Sequence, residues 1–187
     1  VTYTAGMNIF CLNDNPVTSA IEMCDKHILK MPVECAQLLA TCFTLDRLAE
    51  PDCPRTQTGN PRKHFNPKHP SSLWTRETLS NMFWLIDHAT ALLSEFEHRY
   101  GKQHFCGGFI AWAADNIADC VVPDGDQTEF SIAINDEQQC RQDPRFESAS
   151  VVDKYRLYYA HDKRDFAKWD KGRPAPSWYD SLLASNA

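Results

Sequence analysis

The sequence predicts a mostly α protein, a single domain built on two long helices. Three observations predict it. Apolar residues recur every three or four positions as Ile21, Cys24, Ile28, Met31, Cys35, Leu38 and Cys42, which is the period of one helix face. The same period marks Leu79, Met82, Phe83, Ile86, Ala89, Leu93 and Phe96 as the buried face of a second helix. The 187 residues, 43% apolar and 24% charged, suffice for one core and match an ordinary soluble globule.

The elements follow in order. Residues 1–6 read as an extension or tag remnant, and Met7 as a natural start, leaving residues 7–187 as one helical domain. Residues 8–12 are an apolar run of strand length. Asn15 suits an N-cap and Pro16 a first helical position, where its missing N–H costs nothing. The first long helix is expected over residues 16–48. Pro32 falls inside it, and because both of its stripes keep phase across Pro32, a single helix kinked there is expected. Residues 50–70 are a loop rich in Pro, Asn, Gly and Thr. Ser71 or Ser72 can cap the second long helix, residues 73–100, and Gly101 suits its C-terminal stop. A shorter helix is expected at 105–118, a short strand at 130–134 within an acidic irregular stretch, and a fourth helix at 151–169. The tail carries Pro174, Pro176, Trp178 and Tyr179.

Composition excludes several classes. No apolar run approaches the roughly 18–20 residues that span a bilayer, and no charged segment precedes an apolar leader. The eight cysteines form no C-x-x-C pair, which argues against a zinc ribbon or a thioredoxin-like motif. Three lie on the apolar stripe, where a thiol acts as a small hydrophobe. A reducing, cytoplasmic protein without disulfides is expected. The net charge of -6 argues against a general nucleic-acid coat. The charge is nonetheless uneven. Between Arg55 and Arg76 the chain holds Arg62, Lys63, His64, Lys68 and His69 and no acid, a basic island able to hold a phosphate backbone or merely to be solvated.

Three groups of residues could carry chemistry. Beside the apolar stripe runs a polar edge of Met23, His27, Lys30, Glu34, Gln37 and Thr41. A carboxylate there can act as general base or stabilise a developing cation, and a lysine can form a Schiff base or hold phosphate. Lys30 and Glu34 equally form a charge ladder worth a few tenths of a kcal/mol. Asp25 points elsewhere on an ideal helix. The second group is Lys63, His64, Lys68, His69 and Arg76, beside a helix start at Ser71 whose free N–H groups suit an anion. Trp74 there could stack on a base or anchor the core. The third is Arg99 and Lys102, which also read as a basic last turn complementing the helix dipole. Scattered histidines without an H-E-x-x-H pattern predict no metal, and nothing points to a cofactor.

The opening Met7-Asn8-Ile9-Phe10, the block Cys24-Asp25-Lys26-His27 with Lys30-Met31 and Glu34, then His69-Pro70 with Trp74 and Arg76, then Arg99-Tyr100-Gly101-Lys102, and late Phe166-Ala167-Lys168-Trp169 resemble a family of small tailed-phage proteins. More distantly, the chain is similar to the pyrimidine-dimer DNA glycosylases typified by endonuclease V of T-even phages. There too an Asp-x-His is followed, seven residues after the His, by a Glu on the first helix, matching Asp25, His27 and Glu34. The tail of that family also has a Pro-rich turn before Trp-Tyr, as residues 174–179 have here. The resemblance implies a mostly helical fold, a catalytic Glu34, and base flipping in a kinked duplex. The nucleophile of those glycosylases is the α-amine exposed by Met removal. Here Asn8 follows Met7 and is too large for ordinary Met removal, so an N-terminal amine, Lys30 and a water all stay open. Those glycosylases are also basic, whereas this chain is acidic.

Three functions follow as expectations. The first is a phage DNA base-processing enzyme, glycosylase-like and favoured as a monomer in the infected cytoplasm. In it Glu34 acts with His27 and Lys30, the basic residues above hold duplex phosphate, and Trp74 stacks on a base. The second is a transferase attaching an amino acid or polyamine to a 5-substituted pyrimidine. The third is a non-enzymatic nucleotide-binding or anti-defence protein.

Overall fold

Asn15 accepts hydrogen bonds from the amides of Val17 and Thr18, both at 3.0 Å, so helix α1 (Pro16–Glu22) begins where its cap and proline dictate. The structure, a computed structural model, describes residues 7–185. All of its regular elements are helical. The expected single helix over residues 16–48 is three helices: α1, α2 (Asp25–Ala40) and α3 (Leu45–Ala49). The break falls at Met23 and Cys24, whose backbones are extended (ψ 144° and 159°). Pro32 lies inside α2 without ending it.

The reason lies outside the helix. Arg99 donates to the carbonyls of Ile21 at 2.8 Å and Met23 at 2.7 Å, among those that the end of α1 leaves without helical partners. A guanidinium there also complements the negative end of the helix dipole. At Pro32 one backbone hydrogen bond is lost, a cost of about 3 kcal/mol. The unbroken burial of Ile28, Met31, Cys35 and Leu38 offsets it.

The second long helix also starts later than expected. Residues 70–75 form a separate turn, α4 (Pro70–Thr75), and α5 (Leu79–Tyr100) begins at Thr78, whose hydroxyl accepts from the Asn81 amide. Gly101 ends α5 at φ 66°, a left-handed position that glycine adopts without strain. Phe83 is exposed, and Trp84 takes the inward position on that turn. Helix α6 (Gly107–Asp115) is shorter than expected. Helix α7 (Val151–Asp162) ends at Lys163 rather than near 169, and α8 (Ser177–Ala184) closes the described chain.

Neither expected strand forms. At residues 8–12 the Asn8 carboxamide accepts from the amides of Ile9 and Phe10, and Phe10 adopts φ 53°, so the run is folded rather than extended. At residues 130–134 side chains take the ladder's place. Tyr155 donates to the Ser131 carbonyl and accepts from the Ala133 amide, while Asn8 donates to the Ala133 carbonyl.

Helices α2 and α5 form the central pair. Helix α1 packs on α5, α6 on both members of the pair, and α7 on α8. Among the described residues no helix is long and apolar enough to cross a membrane.

Candidate active site

The polar edge of α2 becomes one wall of a site because a later segment crosses it. The Asp25 amide donates to the Lys168 carbonyl at 2.9 Å, the Asp170 amide donates to the Asp25 carboxylate at 2.7 Å, and the Trp169 indole donates to the Glu22 carbonyl. These bonds lay residues 163–170 across the start of α2. Asp25 itself faces Arg99 at 3.1 Å, away from the site, as the helical wheel requires.

The crossing places Phe166 edge-on to the His27 ring, with centroids 5.5 Å apart. On the other side Phe10 packs over the same ring at 4.4 Å. Phe10 holds this position from a left-handed backbone, a costly conformation for a non-glycine residue. His27 Nδ1 is hydrogen-bonded to the Tyr159 hydroxyl. Burial and the cations Lys163, Lys30 and Lys26 push the His27 pKa down to about 3, so the ring is neutral at neutral pH.

Two turns along α2, Glu34 is 2% exposed. Lys30 Nζ stands 3.3 Å from its Oε1, and neither carboxylate oxygen has a well-formed hydrogen bond. A bare buried carboxylate is costly when ionised. Burial therefore holds the Glu34 pKa at about 7, above the usual carboxylate range, against the opposing pull of Lys30 and Lys163. A carboxyl balanced at that value can give and take a proton near neutrality. In its ionised form it can face a developing cation.

Lys163 joins the site from the end of α7. Its Nζ lies 4.5 Å from the Tyr158 ring centroid and 5.8 Å from those of both Phe10 and Phe166. Lys26 Nζ sits 4.5 Å over Phe166. Further along, Lys168 is exposed, and Lys171 lies with its Nζ 5.1 Å from the Tyr100 ring centroid. Lys30 and Lys163 act on the buried Glu34 carboxyl, and Lys26 joins them at His27.

The other sequence-derived residues are dispersed. Arg99 is buried, with its donors held by Glu95, Asp25, Met23 and Ile21, and it acts as a clamp between helices. Trp74 is 3% exposed and packs against Trp84 and Phe130, the core alternative. His69 is buried and caps α4 by accepting from the Ser71 amide. Helix α4 has six residues, too few for the strong N-terminal field expected of a long helix. Arg76 is half-buried and donates to the Pro67 carbonyl. His64 is bonded to the Phe43 carbonyl at 2.8 Å. Lys63, Lys68 and Lys102 are exposed.

Lys63 and His64 do line a groove of about 490 Å³ together with Arg62, Phe65, Phe105 and Gln37. Gln37 lies one turn beyond Glu34 on α2, so this groove adjoins the carboxylate's side of the helix. Arg62 stacks its guanidinium 4.1 Å over the Phe109 ring.

Sequence reading missed Phe10, Tyr159, Lys163 and Phe166 as site residues. Phe10 and Phe166 sit in stretches quoted for the family resemblance, which was the available signal. Tyr159 and Lys163 carry no motif, and only the crossing of residues 163–170 over α2 reveals them. Among the described residues no group of three His, Cys, Asp or Glu could hold a metal ion.

The family model for pyrimidine dimer DNA glycosylases matches residues 7–106. No curated protein and no solved structure matches the chain.

Proposed function

From the premise that the chain belongs to the pyrimidine dimer DNA glycosylase family, we propose that it is a phage enzyme that cleaves the bond between a pyrimidine base and its deoxyribose in duplex DNA. The observation that carries this reading is Glu34: buried, without a well-formed hydrogen bond, 3.3 Å from Lys30 and held near neutrality in pKa. Folding tolerates such a group only at a cost, and perturbed carboxyls of this kind concentrate where chemistry is done.

As the base departs, positive charge develops at C1′ of the sugar. Ionised Glu34 stabilises that charge, and the neutral His27 positions the pocket wall. Lys26, Lys30, Lys168 and Lys171 hold the backbone phosphates on either side of the extruded nucleotide. Lys63, Lys68 and Lys102, exposed on neighbouring surfaces, extend the phosphate contacts.

The test is incubation with duplexes carrying a pyrimidine dimer or a 5-substituted pyrimidine, followed by nucleoside mass spectrometry. Free base and an abasic site are expected, and both should vanish in Glu34→Gln. A base that instead gains the mass of an added amine would establish a transferase in place of a glycosylase. Tight nucleotide binding without turnover, surviving Glu34→Gln, would establish a non-enzymatic role.

A further inference from the structure

We propose that the groove between α2 and the histidine-proline loop is a second ligand site, separate from the Glu34 pocket, that takes a free nucleoside monophosphate. Neither its chemistry nor its test depends on the glycosylase reading. The groove measures about 490 Å³, an ordinary size for a small-molecule site. Glu34, His27 and Lys30 are not among its lining residues, and no acid lines it. It holds two phenyl rings that the fold leaves open, Phe65 at 45% and Phe105 at 50% exposure. Large apolar side chains left open in one cleft mark a place where another molecule packs.

Arg62 supplies an independent observation. Its Nε is buried without a hydrogen-bond partner, and its guanidinium is held 4.1 Å over the Phe109 ring. It makes no ion pair among the described residues. Burial pulls the Arg62 pKa down, and only the thiols of Cys106 and Cys53 oppose that pull. Burial raises the pKa of both thiols, so neither is an anion at neutral pH. A guanidinium stays charged, and a half-buried one without a counter-ion is costly until an anion reaches it. Lys63, the next residue, is exposed and likewise has no ion pair among the described residues.

These features select the ligand. Two adjacent unpaired cations match the nearly two negative charges of a terminal phosphate, and a guanidinium can grip it through two N–H groups. An internal phosphate of a strand carries a single charge and matches only one of the pair. The open phenyl rings offer apolar faces to a planar base. Gln37, on the α2 side of the groove, has an amide able to donate and accept at a base edge. His64 spends its Nε2–H on the Phe43 carbonyl at 2.8 Å, so its neutral ring keeps Nδ1 as an acceptor.

The test is titration calorimetry on the full chain with each deoxynucleoside 5′-monophosphate, the matching nucleosides, inorganic phosphate and a short single-stranded oligonucleotide. At least one monophosphate should bind at a single site, about ten-fold or more tighter than its nucleoside or phosphate alone. Phe65→Ala should weaken it about five-fold or more, and Arg62→Gln about ten-fold or more. Lys63→Ala should weaken the monophosphate but not the nucleoside. Phe83→Ala removes a phenyl of the same 45% exposure on α5, outside the groove, and should change nothing. Circular dichroism checks folding. No binding of any monophosphate overturns the proposal, as does phosphate alone binding equally tightly. Unchanged binding in Phe65→Ala or Lys63→Ala, both at exposed positions that folding tolerates, overturns it too. Tighter binding of the oligonucleotide, weakened by the same substitutions, would give the groove to a DNA strand instead.

Discussion

Arg99 reaches from the last turn of α5 to Asp25 in the first turn of α2, with Nη1 to Oδ1 at 3.1 Å. The same guanidinium binds Glu95 at 3.0 Å and two carbonyls at the end of α1. One side chain therefore fixes where α1 stops, where α2 starts and how both sit on α5. Asp25 in turn receives the Asp170 amide, which brings the crossing segment onto the site.

Replacing Arg99 should be severe. Arg99→Met leaves Asp25 and two carbonyls without their donor in a buried setting, and losing one partner of such a network costs about 3–5 kcal/mol. Urea denaturation should show a lower midpoint by a matching amount with an unchanged slope. Arg99→Lys should recover only part of it, because an ammonium cannot fork to four acceptors.

Glu34→Gln should stabilise the protein, and only at higher pH. In the unfolded chain the carboxyl ionises near 4.5, whereas in the fold it does so at about 7. Between those values the unfolded state is the one that gives up the proton, so the wild-type contribution is intact below 4.5 and is lost as pH rises through 7. The variant should gain about 2–3 kcal/mol over wild type at pH 8 and almost nothing at pH 4. Equal effects at both values would place Glu34 outside a desolvated pocket.

The neutral His27 gives the opposite slope. Its unfolded imidazole binds a proton below about 6.5, while the folded one does not until about 3. Stability is therefore present above 6.5 and falls as pH drops towards 3. His88, buried on α5 and held at about 4, adds a parallel loss. His27→Gln should flatten the fall between pH 6.5 and 4 by about 2–3 kcal/mol relative to wild type, read from denaturation curves at each pH.

DNA affinity should depend on the lysines of the crossing rather than on the histidine-proline loop. Each phosphate contact removed lowers the slope of log affinity against log salt by about 1. Alanine at Lys26, Lys168 and Lys171 together should lower it by about 2–3, measured by fluorescence anisotropy on a duplex oligonucleotide. Alanine at Lys63 and Lys68 should lower it by less. A larger effect from the loop pair would move the DNA path to the 490 Å³ groove.

The helical class and the polar edge of α2 were legible in the sequence because both rest on local periodicity. The edge of His27, Lys30 and Glu34 needs only three- and four-residue spacing to be seen. Element ends were less legible. The stop at Glu22 depends on Arg99, 77 residues further along the chain, so no local signal marks it. At Pro32 the local signal was legible, since the stripe that keeps phase across the proline is the one whose burial carries α2 through it. The basic island drew attention through composition alone, yet four of its members, His64, His69, Arg76 and Arg55, spend their donors or acceptors on backbone groups of the fold.

The family match ends at residue 106, but Tyr159, Lys163 and Phe166 all lie beyond it. The matched half supplies His27 and Glu34, and the remainder supplies Tyr159 and Phe166 against the His27 ring. A fragment cut at the match boundary would keep Glu34 but lose Lys163, one of the two cations that oppose the rise of its pKa. Changes in the unmatched half would therefore alter the surroundings of His27 and Glu34 without touching either residue.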